Sequence, residues 1–181
     1  MSFDRRFVLS RLRNTFKHAF FKAYAQVVGA CSQRTLANRK LAGHLRPGGL
    51  VVFHEPSWDG VRSFPPSPTY DRCWQWIVDT FERVGTEMRM GLKLYATFIA
   101  AGLPAPSMRL SAVIGGGSSD WLNVIAENVR SLLPEMERLG VATAAEVGVE
   151  TLADRLRKEV AASGGVIVGR SEIAAWSRVQ A

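Results

Sequence analysis

The segment Arg46-Pro47-Gly48-Gly49-Leu50-Val51-Val52-Phe53 constrains this chain more than any other. Proline followed by two glycines cannot continue a helix, so the chain must stop there and turn. Four apolar residues follow at once without alternation, which predicts a strand covered on both faces, as in a parallel sheet. Upstream, Leu36, Leu41 and Leu45 suit one face of a helix starting near Thr35. The order is helix, tight turn, buried strand.

The later patterning repeats these element types. Trp74, Ile77, Val78, Phe81, Val84 and Met88 recur at helical spacing, and Leu92, Tyr95 and Ile99 continue the stripe past Gly85 and Gly91. This predicts two helices or one broken helix, stopped by Gly102 and Pro104. Residues 57–69, holding Pro65, Pro66 and Pro68, read as an irregular loop closing the strand at His54-Glu55-Pro56. Met108, Leu110 and Ala112 alternate with Arg109, Ser111 and Val113, a strand leading into Gly115-Gly116-Gly117. Ser118-Ser119-Asp120 offers capping oxygens to a helix through Leu132 that Pro134 should break or kink. Thr143 and Glu146 have the spacing of a capping box, and a helix follows over about 151–162. Val166-Ile167-Val168 opens a last strand that resumes at Ile173 to Trp176. Helix and strand in this alternation predict an α/β layered sheet.

Composition excludes several classes. A chain of 181 residues, 47% hydrophobic and 22% charged, has room for one core and is neither disordered nor collagen-like. With no run of eighteen apolar residues and no signal-peptide pattern, it reads as a soluble, cytoplasmic protein with no membrane span. Two distant cysteines, Cys31 and Cys73, and three histidines argue against a disulfide framework or a metal site. The net charge of +7 is concentrated at the start, where residues 1–40 carry nine Lys/Arg against Asp4 alone.

That asymmetry divides the chain into a basic segment at 1–35 and an α/β body at 36–181. Residues 7–28 are loosely amphipathic and suit a helix, within which Gln26-Val27-Val28-Gly29 could instead be a short strand. An Arg-rich, acid-poor beginning also resembles a transit peptide. A basic arm on a neutral body can contact nucleic acid or an anionic membrane surface, which makes a non-catalytic binding module the alternative function. The same charges equally suit a solvated helix face.

His54 and Glu55 are the best-placed polar pair, since ligands of open α/β sheets bind outside the carboxyl ends of strands. Together they could orient a substrate hydroxyl or amine, or take its proton. They could equally serve as a buried histidine and a loop cap. Trp58, Tyr70, Trp74 and Trp76 crowd the following loop and helix, where they could wall an apolar substrate pocket or simply be core. Gly115-Gly116-Gly117 lacks the Lys-Ser/Thr of a phosphate loop and the dinucleotide fingerprint, so it reads as a turn.

From Leu45-Arg46-Pro47-Gly48-Gly49 through Leu50-Val51-Val52-Phe53-His54-Glu55, the chain resembles the late motif of class I S-adenosylmethionine-dependent methyltransferases of the type 11-like group. The likeness extends through Gly91-Leu92-Lys93-Leu94 and Ala101-Gly102-Leu103-Pro104 to Gly165-Val166-Ile167-Val168. It implies an incomplete Rossmann-like, doubly wound sheet with added helices. Residues 50–54, 108–114 and 166–176 would be the fifth, sixth and antiparallel seventh strands. It further implies methyl transfer from S-adenosylmethionine to a small-molecule acceptor without a metal. His54 or Glu55 would orient or deprotonate the acceptor, Trp58, Tyr70 and Trp74 would contact it, and residues 57–102 would form its lid.

The family's glycine-rich Gly-x-Gly loop and acidic second-strand residue have no counterpart here, and about forty residues cannot hold four strands with their helices. The expectation is a carboxyl-terminal half from a truncated gene or shifted reading frame, weakly active or inactive and without useful cofactor affinity. Its inner sheet edge would invite self-association unless residues 7–29 cover it.

Overall fold

A computed structural model describes residues 46–179 of the chain. The helices expected at 7–28 and from Thr35, the alternative strand at 26–29, the basic segment and Cys31 lie outside the described residues.

Within them the elements run β1 (Leu50–Ser57), β2 (Arg62–Phe64), α1 (Pro68–Arg83), α2 (Met90–Ala100), β3 (Ser107–Gly115), α3 (Trp121–Arg138), α4 (Ala144–Val147), α5 (Leu152–Ala162) and β4 (Val166–Arg178). The result is a mixed α/β structure with an open four-stranded antiparallel sheet. β4 is its axis. β1 pairs with residues 171–178 and β2 with 166–168 along one side of β4, while β3 pairs along the other side.

The buried, parallel strand expected at Leu50 is corrected. β1 is antiparallel to β4, and its residues alternate: Val51 is buried while Leu50 and Val52 are exposed. α2 covers only one face, where Val51 meets Leu94, Phe98, Ile173 and Ala175. No parallel ladder occurs among the described residues. β1 also runs on through His54-Glu55-Pro56 to Ser57, because β4 offers partners from Ala174 to Ser171 for that stretch. An uninterrupted apolar run does not report how many faces its neighbours cover.

β4 itself is one strand where two pieces were expected. Gly169 and Arg170 interrupt the apolar pattern and fall at the irregularity of the β3 ladder between Ala112 and Ile114, yet the strand runs on because β3 pairs with β4 on both sides of that point. The loop expected at 57–69 holds β2 as well, and Pro68 opens α1, where a missing amide costs nothing.

The long aromatic stripe is two helices, α1 and α2. Gly102, at φ +75°, ends α2 with paired bonds from the Gly102 amide to the Ile99 carbonyl and from the Leu103 amide to the Phe98 carbonyl. A side chain disfavours that left-handed conformation. α3 passes through Pro134 without ending. The Thr143–Glu146 capping box forms, but it starts the four-residue α4 and not the longer α5.

α1, α3 and α5 build a helical cap around Tyr70, Ile77, Leu122, Ile125, Val129 and Leu156, which also encloses Ile167 of β4. α2 makes the second, smaller core. Glu159 of α5 ties the cap together by accepting hydrogen bonds from the Ser67 hydroxyl at 2.5 Å and the Thr69 amide at 2.9 Å, and also from the Thr69 hydroxyl. It thus caps the start of α1 from a distant helix. Among the described residues, no helix is long and apolar enough to cross a membrane.

Candidate functional site

The pleat separates His54 from Glu55, because successive strand residues point to opposite faces. Glu55 lies opposite Ile173, on the side that α2 covers, and its carbonyl oxygen would be 2.8 Å from a side-chain carbon on Gly91. His54 shares the other face with Leu50 and Val52, and its side chain is 57% exposed. They do not act on one point.

The carboxylate that does meet His54 belongs to β4. Glu172 places Oε2 3.7 Å from His54 Nε2, beyond a direct hydrogen bond but within reach of an ion pair when the imidazole is protonated. Its other oxygen accepts from Arg170 Nε at 2.7 Å. Antiparallel register sets Glu172 opposite Pro56 and two residues along from Ala174, the partner of His54. Charged side chains on adjacent strands therefore line up on one face.

Arg170 ends this row against the helical cap. Its guanidinium carbon lies 5.2 Å from the Trp58 ring centroid and 6.0 Å from that of Trp121. Both contacts fall within the range where a cation gains from an aromatic face. The cap thus forms a wall at the end of a sheet face that no helix among the described residues covers. His54, Glu172 and Arg170 occupy the corner where the two meet.

The expected aromatic wall divides. Trp58 is buried, stacked on Trp74 at 5.7 Å and edge-on to Phe81 at 5.9 Å. Trp74 is half-buried beside it, and Trp76 lies under the Arg72 guanidinium. Tyr70 has no exposed surface: its hydroxyl donates to the Val168 carbonyl at 2.9 Å and accepts from Trp121 Nε1 at 2.9 Å. Burial pushes the phenol's pKa well up, with the Trp121 bond opposing it. Tyr70 is a core residue in a closed polar network and cannot touch a substrate.

Cys73 is a free, fully buried thiol pushed up to about 12, chiefly by burial, so it is inert as a nucleophile. Among the described residues, no three His, Cys, Asp or Glu side chains gather where a metal ion could be held.

Gly115-Gly116-Gly117 joins β3 to α3 and has the strand-turn-helix outline of an anion-binding loop. Its open sides face protein. A carbon added at Gly115 would be 2.7 Å from the Ser119 side chain, and one at Gly117 2.7 Å from Ala161 and 2.9 Å from the Arg157 carbonyl. These glycines let α5 and the turn close on β3, and so leave no cradle for a nucleotide-like cofactor. S-adenosylmethionine does not fit this loop.

Glu172, Arg170 and Trp121 were missed from sequence. Arg170 and Glu172 interrupt an apolar strand pattern with opposite charges two residues apart, and that signal could have marked them. Comparison with known proteins found no family model that matches the chain and no significant match among curated proteins.

Proposed function

We propose that the chain is the acceptor-binding portion of a small-molecule methyltransferase, with His54 taking the acceptor's proton. The observation that carries this reading is the His54–Glu172–Arg170 row at the corner between sheet face and helical cap. The arrangement of β1, β3 and β4 supports it, since the last strand is antiparallel to the two before it, as the methyltransferase resemblance implies.

A carboxylate facing Nε2 favours the tautomer with its proton there, which leaves the Nδ1 lone pair for an acceptor O–H or N–H. Glu172 faces the imidazolium formed by that transfer, and Arg170 holds Glu172 in place. Val52 and Leu50 offer apolar contact on the same face, so the acceptor carries an apolar body and one ionisable hydroxyl or amine. S-adenosylmethionine, which the resemblance implies, would supply an activated methyl group. The described residues contribute acceptor positioning and proton removal.

The test is a ligand-observed NMR screen of small phenols and aryl amines against the full chain, repeated with His54→Ala. Compounds that bind the wild type should lose affinity by up to about tenfold, as for one lost hydrogen bond. Binding indifferent to His54, or none, removes the reading.

A further inference from the structure

His54 of β1 and Arg109 of β3 are both register partners of Ala174, so the three lie in a row across the sheet, on the face that carries Glu172. Neighbouring strands stand about 4.8 Å apart, which puts the backbones of His54 and Arg109 about 10 Å from each other. Alanine between two longer side chains leaves a shallow floor. The next residue of β4 on that face, Trp176, is half-buried opposite Val52 and bounds the floor on one side. Glu172 bounds it on the other.

The charge of this face is unbalanced. Its residues on β1, β3 and β4 include Arg109, Arg170 and Arg178, with Glu172 as the one carboxylate. Two of these cations are engaged: Arg170 donates to Glu172 at 2.7 Å, and Arg178 donates to the Gly48 carbonyl at 2.9 Å. Arg109 is exposed and has no hydrogen bond or ion pair among the described residues. Residues 1–40 offer Asp4 as their one carboxylate against nine Lys/Arg, so a separate anion complements Arg109 better than the chain's own beginning does.

We propose that the acceptor is an aromatic hydroxy- or amino-carboxylate lying across Ala174, with its carboxylate on Arg109 and its hydroxyl or amine at His54. This rests on the acceptor reading of His54 and adds the group at the other end of the ligand. The paired N–H groups of a guanidinium match the two oxygens of a carboxylate. One unengaged cation suits a monoanion and not a doubly charged phosphate. A ring with its two substituents at opposite positions spans the row, and Trp176 offers it an aromatic side contact.

The experiment titrates the full chain at neutral pH and low salt with 4-hydroxybenzoate and with its uncharged analogue 4-hydroxybenzamide, followed by ligand-observed NMR. Wild type is expected to prefer the carboxylate by about fivefold, the upper range for an exposed ion pair. Arg109→Gln should bind the two compounds equally, whereas Arg178→Gln should keep the preference. 2-Hydroxybenzoate, whose two groups are adjacent on the ring, should gain nothing over its own amide. His54→Ala should weaken both 4-substituted compounds. Binding that needs His54 but shows no carboxylate preference overturns the proposal and leaves the acceptor reading standing. So does a preference that survives Arg109→Gln or is equal for the 2-isomer. Binding indifferent to His54, or none, overturns the acceptor reading and this proposal with it.

Discussion

Trp121 donates its indole N–H to the Tyr70 hydroxyl at 2.9 Å, and that hydroxyl in turn donates to the carbonyl of Val168. A helix, a second helix and the central strand are thus joined through one buried oxygen. Tyr70→Phe removes it and leaves both the indole N–H and the carbonyl without this partner. The expected loss is about 1–3 kcal/mol for an orphaned buried polar group, read by urea unfolding. A variant as stable as wild type would show that the network contributes nothing.

Gly91 lets α2 lie directly on the sheet. A methyl group there would stand 2.8 Å from the Glu55 carbonyl oxygen and 2.9 Å from Ile173. Alanine ordinarily strengthens a helix, yet Gly91→Ala should destabilise by about 1–3 kcal/mol through overpacking. Thermal unfolding checks the sign. An increase in melting temperature would mean that α2 can move away at no cost.

Glu159 gives a pH-dependent test. Burial works against its charge, but bonds from Ser67 and Thr69 outweigh that and hold the carboxyl below its usual range. A carboxylate lowered on folding contributes stability above its unfolded pKa of about 4.3 and loses it as pH falls through the folded value. Glu159→Ala should therefore cost about 1 kcal/mol at neutral pH, as for a lost helix cap. The difference should narrow in acid. A gap of equal size at neutral and strongly acidic pH contradicts the capping role.

The glycine-rich turn before α3 is filled by Ser119 and Ala161. Isothermal titration of the full chain with S-adenosylmethionine should give no saturable heat at a dissociation constant below about 100 μM, or roughly 5.5 kcal/mol. Saturable binding in that range would reveal a cofactor seat elsewhere.

Local patterns were legible where local physics decides them. The Gly102 stop and the Thr143–Glu146 capping box needed only backbone sterics and short-range bonding. What failed depended on neighbours distant in sequence. Leu50-Val51-Val52-Phe53 looks doubly buried, but its burial depends on α2 covering one face. His54 and Glu55 are adjacent in the chain and therefore point apart once the segment is a strand. The partner of His54 stands 118 residues later, placed by a register that no short window contains. Tyr70 and Trp74 read alike as pocket or core, and the bonds to Val168 and Trp121, distant in sequence, distinguish Tyr70.

The central claim is that a bound acceptor meets the imidazole of His54. The chain has three histidines, so its imidazole signals in a nitrogen-15 long-range correlation spectrum are few, and His54→Ala identifies the one of interest. On titration with a phenol or aryl amine found by the screen, the account predicts that the His54 ring nitrogens shift saturably. Glu172→Gln should weaken that response. Saturable binding that leaves the His54 nitrogens unmoved would contradict the account.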